Sequence, residues 1–254
     1  MTHRYADEEV PSGYTYPKEY KGPRPIKEQI EIIGDIFNLY SIHALENAKK
    51  LPRLPKGTEG WFAIPKWKAI APTYNEATER MFRIIKYKRS FFNHRESRIG
   101  PRHLRQNSLT KKMLYKLREE QKGDILLIAA QLGFLHRGRS VRRTLKVMSA
   151  NEFGLGAFAI GCILLTHPER EVRREQLHID CAGDEYSHGT DIRFEYAPSF
   201  LYGNSVLRFN TYWTDGAYAD FGTASAFYPE NRPDEHPLLK HWHGFGFLPG
   251  KNIG

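Results

Sequence analysis

The sequence has few of the features that build cross-linked, metal-bound or membrane-spanning proteins. It contains two cysteines in 254 residues, Cys162 and Cys181, and no CxxC pair. We therefore expect two reduced thiols, and neither a disulfide framework nor a zinc site. The longest apolar run, residues 155–165, carries two glycines and is too short to cross a bilayer.

Signals for secretion and for catalysis are equally scarce. The first twenty residues include no apolar stretch of the signal-peptide kind, so we expect a cytoplasmic protein that does not enter a membrane. No Walker A string, GxxxxGK[ST], occurs, and no nuclease pattern with a correctly placed lysine is found. The sequence therefore predicts neither a cofactor nor a metal site, and it does not identify a reaction.

Positive charge, in contrast, is abundant and concentrated. Residues 80–143 hold 18 of the 38 Lys and Arg residues and 4 of the 29 acidic ones, a net charge of +14, whereas the rest of the chain carries −5. Such an asymmetry attracts a polyanion, and nucleic acid is the commonest polyanion in a cell. The predicted function is thus binding of RNA or DNA by a basic face, residues 80–143, without catalysis.

Aromatic residues are interleaved with the cations of this segment. Cations follow phosphates, and exposed rings such as Phe91, Phe92 or His94 can stack on unpaired bases. We expect at least one of the two phenylalanines to be a buried anchor instead. The residues predicted to bind nucleic acid or phosphate are Arg102, Arg105, Lys111, Lys112, Lys116, Arg137, Arg139, Arg142 and Arg143.

The sharpest expectation concerns residues 131–143. Residues 125–130 are a short apolar run that fits a strand of a parallel sheet, buried on both faces, and Ser140 can cap a following helix. Ligands collect at that edge of an α/β sheet, and free amides at the helix start favour anions. Arg137 and Arg139 would then hold a phosphate group. The alternative is a solvated basic loop that pairs with acidic residues elsewhere, such as those near residue 180.

A second candidate site lies in residues 177–185, where apolar and polar residues alternate. On a regular strand with one wet face, His178, Asp180 and Asp184 would share a face, about 7 Å apart for each two-residue step. Such a set can hold a divalent cation or perform acid–base chemistry, which predicts, as an alternative function, an enzyme acting on nucleic acid or a phosphorylated ligand. The structural alternative is a solvated strand face or a set of salt-bridge partners. A further group, His236, His241 and His243, is interpreted as incidental.

An apolar stripe predicts the longest helix, residues 26–50. Ile26, Ile30, Ile33, Phe37, Tyr40 and Ala44 recur at spacings of three and four. We expect this stripe to pack on its own domain. The alternative is a partner helix bound along Ile26–Ala44, which would make the protein an interaction module.

The predicted fold class is α/β or α+β: a small mixed sheet flanked by helices, extended by a C-terminal antiparallel β-meander. Residues 1–24 are expected to form an extended, poorly ordered arm, and residues 25–190 a helix-rich core. Hairpin turn pairs predict the meander in residues 191–228, with strands near 192–197, 205–213 and 218–228. Residues 229–254 are interpreted as a loop or tail.

Overall fold

The structure, a computed structural model, describes residues 4–189 and 192–229. Most of the predicted tail, with His236, His241 and His243, lies outside the described residues. The helices are α1 (Ile26–Phe37), α2 (Ile42–Ala48), α3 (Trp67–Ile70), α4 (Tyr74–Lys88), α5 (Ser108–Glu120), α6 (Val141–Val147) and α7 (Ala157–Thr166). The strands are β1 (Gly60–Pro65), β2 (Phe91–Asn93), β3 (Leu104–Gln106), β4 (Ile125–Arg137), β5 (Glu152–Gly154), β6 (His178–Asp180), β7 (Asp184–Tyr186), β8 (Tyr196–Gly203), β9 (Val206–Trp213) and β10 (Phe221–Phe227).

All ten strands join one mixed, mostly antiparallel sheet, so the fold is of the α+β class. The order is β1-β4-β10-β6-β8-β7-β3; β9 adds to β8, β2 to β9, and β5 to β10. Only the β10–β6 and β2–β9 pairs are parallel among the described strands. The expectation that residues 125–130 belong to a parallel sheet was wrong, because β4 runs antiparallel to both of its neighbours. Helix α7 is buried along its whole length and contacts β1, which accounts for its continuous apolar sequence.

The C-terminal strand run is present, with one difference in pairing. Strands β8 and β9 form the predicted hairpin, whose turn places Asn204 and Ser205 at positive φ. Strand β10 leaves this hairpin and lies between β4 and β6. Small residues allow this insertion: a Cβ on Gly222 would approach the carbonyl oxygen of Gly133 on β4 to 2.2 Å. Strands on both sides of residues 190–191 thus belong to the same sheet.

The predicted helix over residues 26–50 is two helices. Asn38 adopts a left-handed conformation, φ 54°, and ends α1, a role that asparagine fills more readily than other non-glycine residues. Ile30, Ile33 and Phe37 nevertheless lie in the core, whereas Tyr40 is 87% exposed. The stripe therefore packs inside its own domain.

Side-chain caps mark the starts of α4, α5 and α6. Thr73 and Glu76 form a capping box at α4, and Asn107 caps α5. Ser140 caps α6, as predicted. Residues 152–154 form β5, and α7 begins after Gly156.

The N-terminal arm contains no helix or named strand within residues 4–24, and it is held along its length. The Val10 amide donates to the Gly138 carbonyl over 2.7 Å, and the Leu177 amide donates to the Thr15 carbonyl over 2.9 Å. Tyr20 is buried in the core. The expectation of poor order was therefore wrong for residues 4–24, since backbone bonds and a buried ring fix the arm to the sheet.

Candidate nucleic-acid interface

The predicted phosphate pocket at Ser140 is filled by the chain itself. The Glu8 carboxylate accepts a hydrogen bond of 2.6 Å from the Ser140 hydroxyl, and the Arg142 Nε lies 2.7 and 2.8 Å from its two oxygens. The Arg142 hydrogen bond lowers the pKa of Glu8, although partial burial opposes the shift. The anion beside the start of α6 is thus a carboxylate from the N-terminal arm.

The neighbouring arginines are engaged in the same way. Glu9 pairs with Arg139 at 3.2 Å and with Arg143, and Arg137 stacks on the Phe134 ring at 4.2 Å. The alternative of a basic loop paired with acidic residues therefore describes these contacts, but the partners come from the arm and not from residues near 180. Whether these arginines also bind an external phosphate stays a prediction.

The second candidate group is buried and divided. A turn at residues 182–183 separates β6 from β7. The prediction of one regular strand over residues 177–185 with a solvent-exposed face was therefore wrong. The His178 Nδ1 lies 3.1 Å from a Glu171 oxygen, and Asp180 accepts a hydrogen bond of 2.6 Å from the Ser199 hydroxyl. Burial raises the pKa of Asp180 to about 6.

Asp184 has a different set of partners, at the start of α7. It accepts from the Tyr74 hydroxyl and from the Ala157 amide, each over 2.7 Å. Burial raises the pKa of Asp184 to about 7. Within residues 4–189 and 192–229, no group of three His, Cys, Asp or Glu side chains is placed to hold a metal ion.

The remaining predicted cations lie on more than one surface. Arg105 bonds to Glu185 at 2.6 Å, and Lys116 lies over the Tyr228 ring at 3.8 Å, whereas Arg102, Lys111 and Lys112 are exposed. These side chains belong to β3, α5 and the adjoining turn.

Two contacts along β9 show how far the basic segment is spread. Phe92 lies opposite Arg208, whereas the Arg142 amide bonds to the Thr214 carbonyl six residues further along. At the rise of an extended chain this separation is about 20 Å. The basic segment therefore extends over at least about 20 Å of the protein.

One part of the segment combines cations with an exposed ring, and we call it the Phe92 surface: Arg83 and Lys86 of α4, Phe92 and His94 at β2, and Arg208 of β9. Strand β2 alternates, so Phe91 points inward and stacks on Phe82, while Phe92 points outward and is 53% exposed. The expectation that one of the two phenylalanines is a buried anchor is confirmed. The His94 ring meets Phe92 edge-on, with the ring centroids 4.7 Å apart.

Phe92 stands between two clefts. One, of about 440 Å³, lies between α4 and β2, and its charged lining residues are Arg83, Lys86, Glu79 and Glu96. The other, of about 360 Å³, lies between β2 and β9 and is lined by His94 and Arg208. The ring is a wall of both clefts, so a flat ligand can reach it from either side.

The charges of this surface are partly neutralised. Lys86 pairs with Glu96 at 3.8 Å, but both side chains are largely exposed, and such pairs are worth little. The Nε of Arg208 is buried without a hydrogen-bond partner in the part of the chain that the structure describes. Burial, and then the charges of Arg208 and Arg95, lower the pKa of His94. The first cleft therefore balances two cations with two carboxylates, whereas the lining of the second cleft has Arg208 and His94 and no carboxylate.

No family model matches the chain, and no curated protein or solved structure is significantly similar to it. A function is therefore inferred from this geometry alone. Arg208 was missed because it lies outside the basic segment. Only the parallel pairing of β2 with β9 brings it to Phe92, and no local sequence signal indicates that pairing.

Proposed function

We propose that this protein binds single-stranded nucleic acid in the cytoplasm through the Phe92 surface, without catalysis. The observation that carries the proposal is the exposed Phe92 ring between two clefts lined by Arg83, Lys86 and Arg208. An aromatic platform beside cations is the common arrangement in proteins that bind single strands without sequence preference.

Stacking is the first part of the interaction. Phe92 is fixed by backbone pairing of β2 with β9, and its neighbour Phe91 anchors the strand in the core. Little conformational freedom is thus lost when a base packs on the ring. A base in a duplex already stacks on both sides, so the ring favours unpaired strands.

Phosphate contacts are the second part. Arg83 and Lys86 are three residues apart on α4 and share one exposed face. A phosphate can replace Glu96 as the partner of Lys86, and another can contact the guanidinium of Arg208 where it lines the second cleft. Neutralised phosphates release counterions, so binding is expected to weaken steeply with salt.

No observation favours the alternative functions to the same degree. Asp180 and Asp184 are buried and bonded to hydroxyl or amide donors, which does not support acid–base work on a substrate. The apolar stripe of α1 is buried in the core, which does not support a bound partner helix.

The proposal is tested by fluorescence anisotropy with a labelled single strand at a series of salt concentrations. We expect Arg83→Gln/Lys86→Gln to weaken binding and to reduce the slope of log K against log salt by about 0.7 for each lost phosphate contact. Lys49→Gln/Lys50→Gln is the matched control, because it removes the same charge from exposed positions outside the basic segment.

A third variant, Lys111→Gln/Lys112→Gln, tests the location of the site. It removes two exposed cations from α5 and should act as the control does. Binding that is insensitive to salt would contradict the proposal, as would a loss in the α5 variant that matches the loss in the α4 variant.

A further inference from the structure

A separate cleft lies away from the Phe92 surface and shares no residue with it. Its volume is about 700 Å³, and it is bounded by residues 53–57, the end of β4, α6 and the end of β10. Pockets of a few hundred to about 1,000 Å³ are of the size that accepts small organic ligands. We call it the His136 cleft after the ring at its floor.

The floor is a buried polar network. The His136 Nε2 lies 2.6 Å from a Glu152 oxygen, and both side chains are almost fully buried. Glu152 also accepts from the Ser225 hydroxyl over 2.5 Å and from the Ser149 amide over 3.1 Å. Burial acts to raise the pKa of Glu152, but the interactions with His136 and the hydrogen bonds from Ser225 and Ser149 together outweigh it, so the pKa is lowered.

The hydrogen-bond roles at the floor follow from Arg139, whose Nη1 lies 3.3 Å from the His136 Nδ1. A guanidinium only donates, so Nδ1 accepts and Nε2 carries the proton that is donated to Glu152. The carboxylate is thereby satisfied within the protein. Buried ionic groups are a poor source of stability, and when they lie in a cleft they favour a functional site.

The rim of the cleft is cationic. Arg53 and Lys56 are exposed, and neither forms an ion pair with any residue in the described ranges. Arg139 is already paired with Glu9 and lies beside His136, so it is not counted as available to a ligand. Arg53 and Lys56 are therefore two cations beside the Glu152 carboxylate, which already has its donors, and this favours an anionic ligand. A planar guanidinium group and an ammonium group suit a phosphate dianion.

The walls are apolar. Leu54 and Leu135 are 40% and 42% exposed, and the Phe227 ring lies beside them in the lining. These side chains offer an apolar surface next to the cations. We propose that the His136 cleft binds a phosphate monoester with a flat apolar body, of the size of a mononucleotide.

Isothermal titration of the full chain with adenosine monophosphate, adenosine and inorganic phosphate tests this proposal. We expect the monophosphate to bind more tightly than either part, because it meets both the cations and the walls. Arg53→Gln/Lys56→Gln should weaken it about tenfold or more, and Lys49→Gln/Lys50→Gln should leave it unchanged. These exposed positions make no ion pair in the described chain, so loss of fold is not expected.

The outcome is independent of the Phe92 surface. Phe92→Ala should keep the mononucleotide affinity while it loses single-strand binding, and Arg53→Gln/Lys56→Gln should show the reverse. Absence of binding, or equal affinity for inorganic phosphate and adenosine monophosphate, would overturn the proposal. So would an equal loss of affinity in Arg53→Gln/Lys56→Gln and in the control Lys49→Gln/Lys50→Gln.

Discussion

Asp184 is held in a setting that opposes its ionisation. Its ordinary pKa is 3.8, and burial raises the value to about 7 in the folded chain. Between these limits the unfolded chain releases the proton while the folded chain retains it. The free energy of unfolding should therefore fall as the pH rises from about 4 to 7, by about 1.4 kcal/mol for each unit of pKa shift.

Asp184→Asn should flatten that pH dependence. The amide oxygen can still accept from the Ala157 amide, and the amide nitrogen can donate to the Tyr74 hydroxyl, so the hydrogen bonds persist. The check is urea denaturation at several pH values, with Asp35→Asn at an exposed position of α1 as the control. Asp180, with a pKa of about 6, changes the free energy of unfolding in the same direction, but by a smaller total because its pKa shift is smaller. An unchanged slope in Asp184→Asn would refute this reading of the carboxyl.

Phe37 carries a second prediction at the residue scale. It is 6% exposed in the core, and truncation of such a ring leaves a cavity, so Phe37→Ala should cost roughly 3–5 kcal/mol of stability. Tyr40→Ala, three positions beyond the end of α1, should change the stability by no more than about 0.5 kcal/mol. Thermal and urea melts measure both. If Phe37→Ala instead dissociated a dimer without a loss of stability, α1 would be an interface.

At the scale of elements, the arm and α6 are joined by Glu8. The hydrogen bond from Arg142 lowers the pKa of Glu8 below its ordinary 4.5. This contribution is therefore present above about pH 4.5 and is lost as the pH falls through the folded pKa. Glu8→Gln should destabilise the protein by roughly 1–3 kcal/mol at pH 7, the range for hydrogen bonds to charged groups.

The control for this prediction is Asp7→Asn, which removes a charge from an exposed neighbour on the same arm. Urea denaturation at pH 7 and at pH 3 should show the Glu8→Gln deficit at the higher pH and a smaller one at the lower. Equal behaviour of the two variants would mean that the arm is not held through its carboxylates.

Local rules were sufficient for many elements and failed where distant segments meet. The Thr73 capping box, the Ser140 cap and the turn of the β8–β9 hairpin follow from residues close in sequence. The placement of β10 depends on a glycine contact between residues 133 and 222, almost ninety positions apart. The split of the predicted helix at Asn38 depends on one residue that tolerates a left-handed backbone.

The candidate site shows the same division. The charge of residues 80–143 and the burial of one of the two rings, Phe91 or Phe92, could be anticipated from the sequence, whereas which ring is exposed depends on the pairing of β2 with β9. The pairing of Glu8 and Glu9 with the arginines could not, although the acidic run at residues 7–9 is a visible signal. Arg208 and the His136 cleft depend on contacts between segments far apart in the chain.

For the whole molecule, charge is divided among surfaces with different partners. The arm covers the arginines of residues 139–143, α5 presents exposed lysines, and α4 with β2 and β9 forms the Phe92 surface. No helix in residues 4–189 or 192–229 is long and apolar enough to span a bilayer. We propose the Phe92 surface as the site for a polyanion because its exposed ring lies between two clefts that cations line.

The most direct test of this account compares Phe92→Ala with Tyr40→Ala, which removes an even more exposed ring outside the basic segment. Affinities for a labelled single strand and for its duplex are measured at one moderate salt concentration. The account predicts that Phe92→Ala loses about 1–3 kcal/mol of single-strand binding, the value of one stacked base, while duplex binding and the Tyr40→Ala variant remain unchanged. Equal single-strand affinity in the wild type and Phe92→Ala would contradict it.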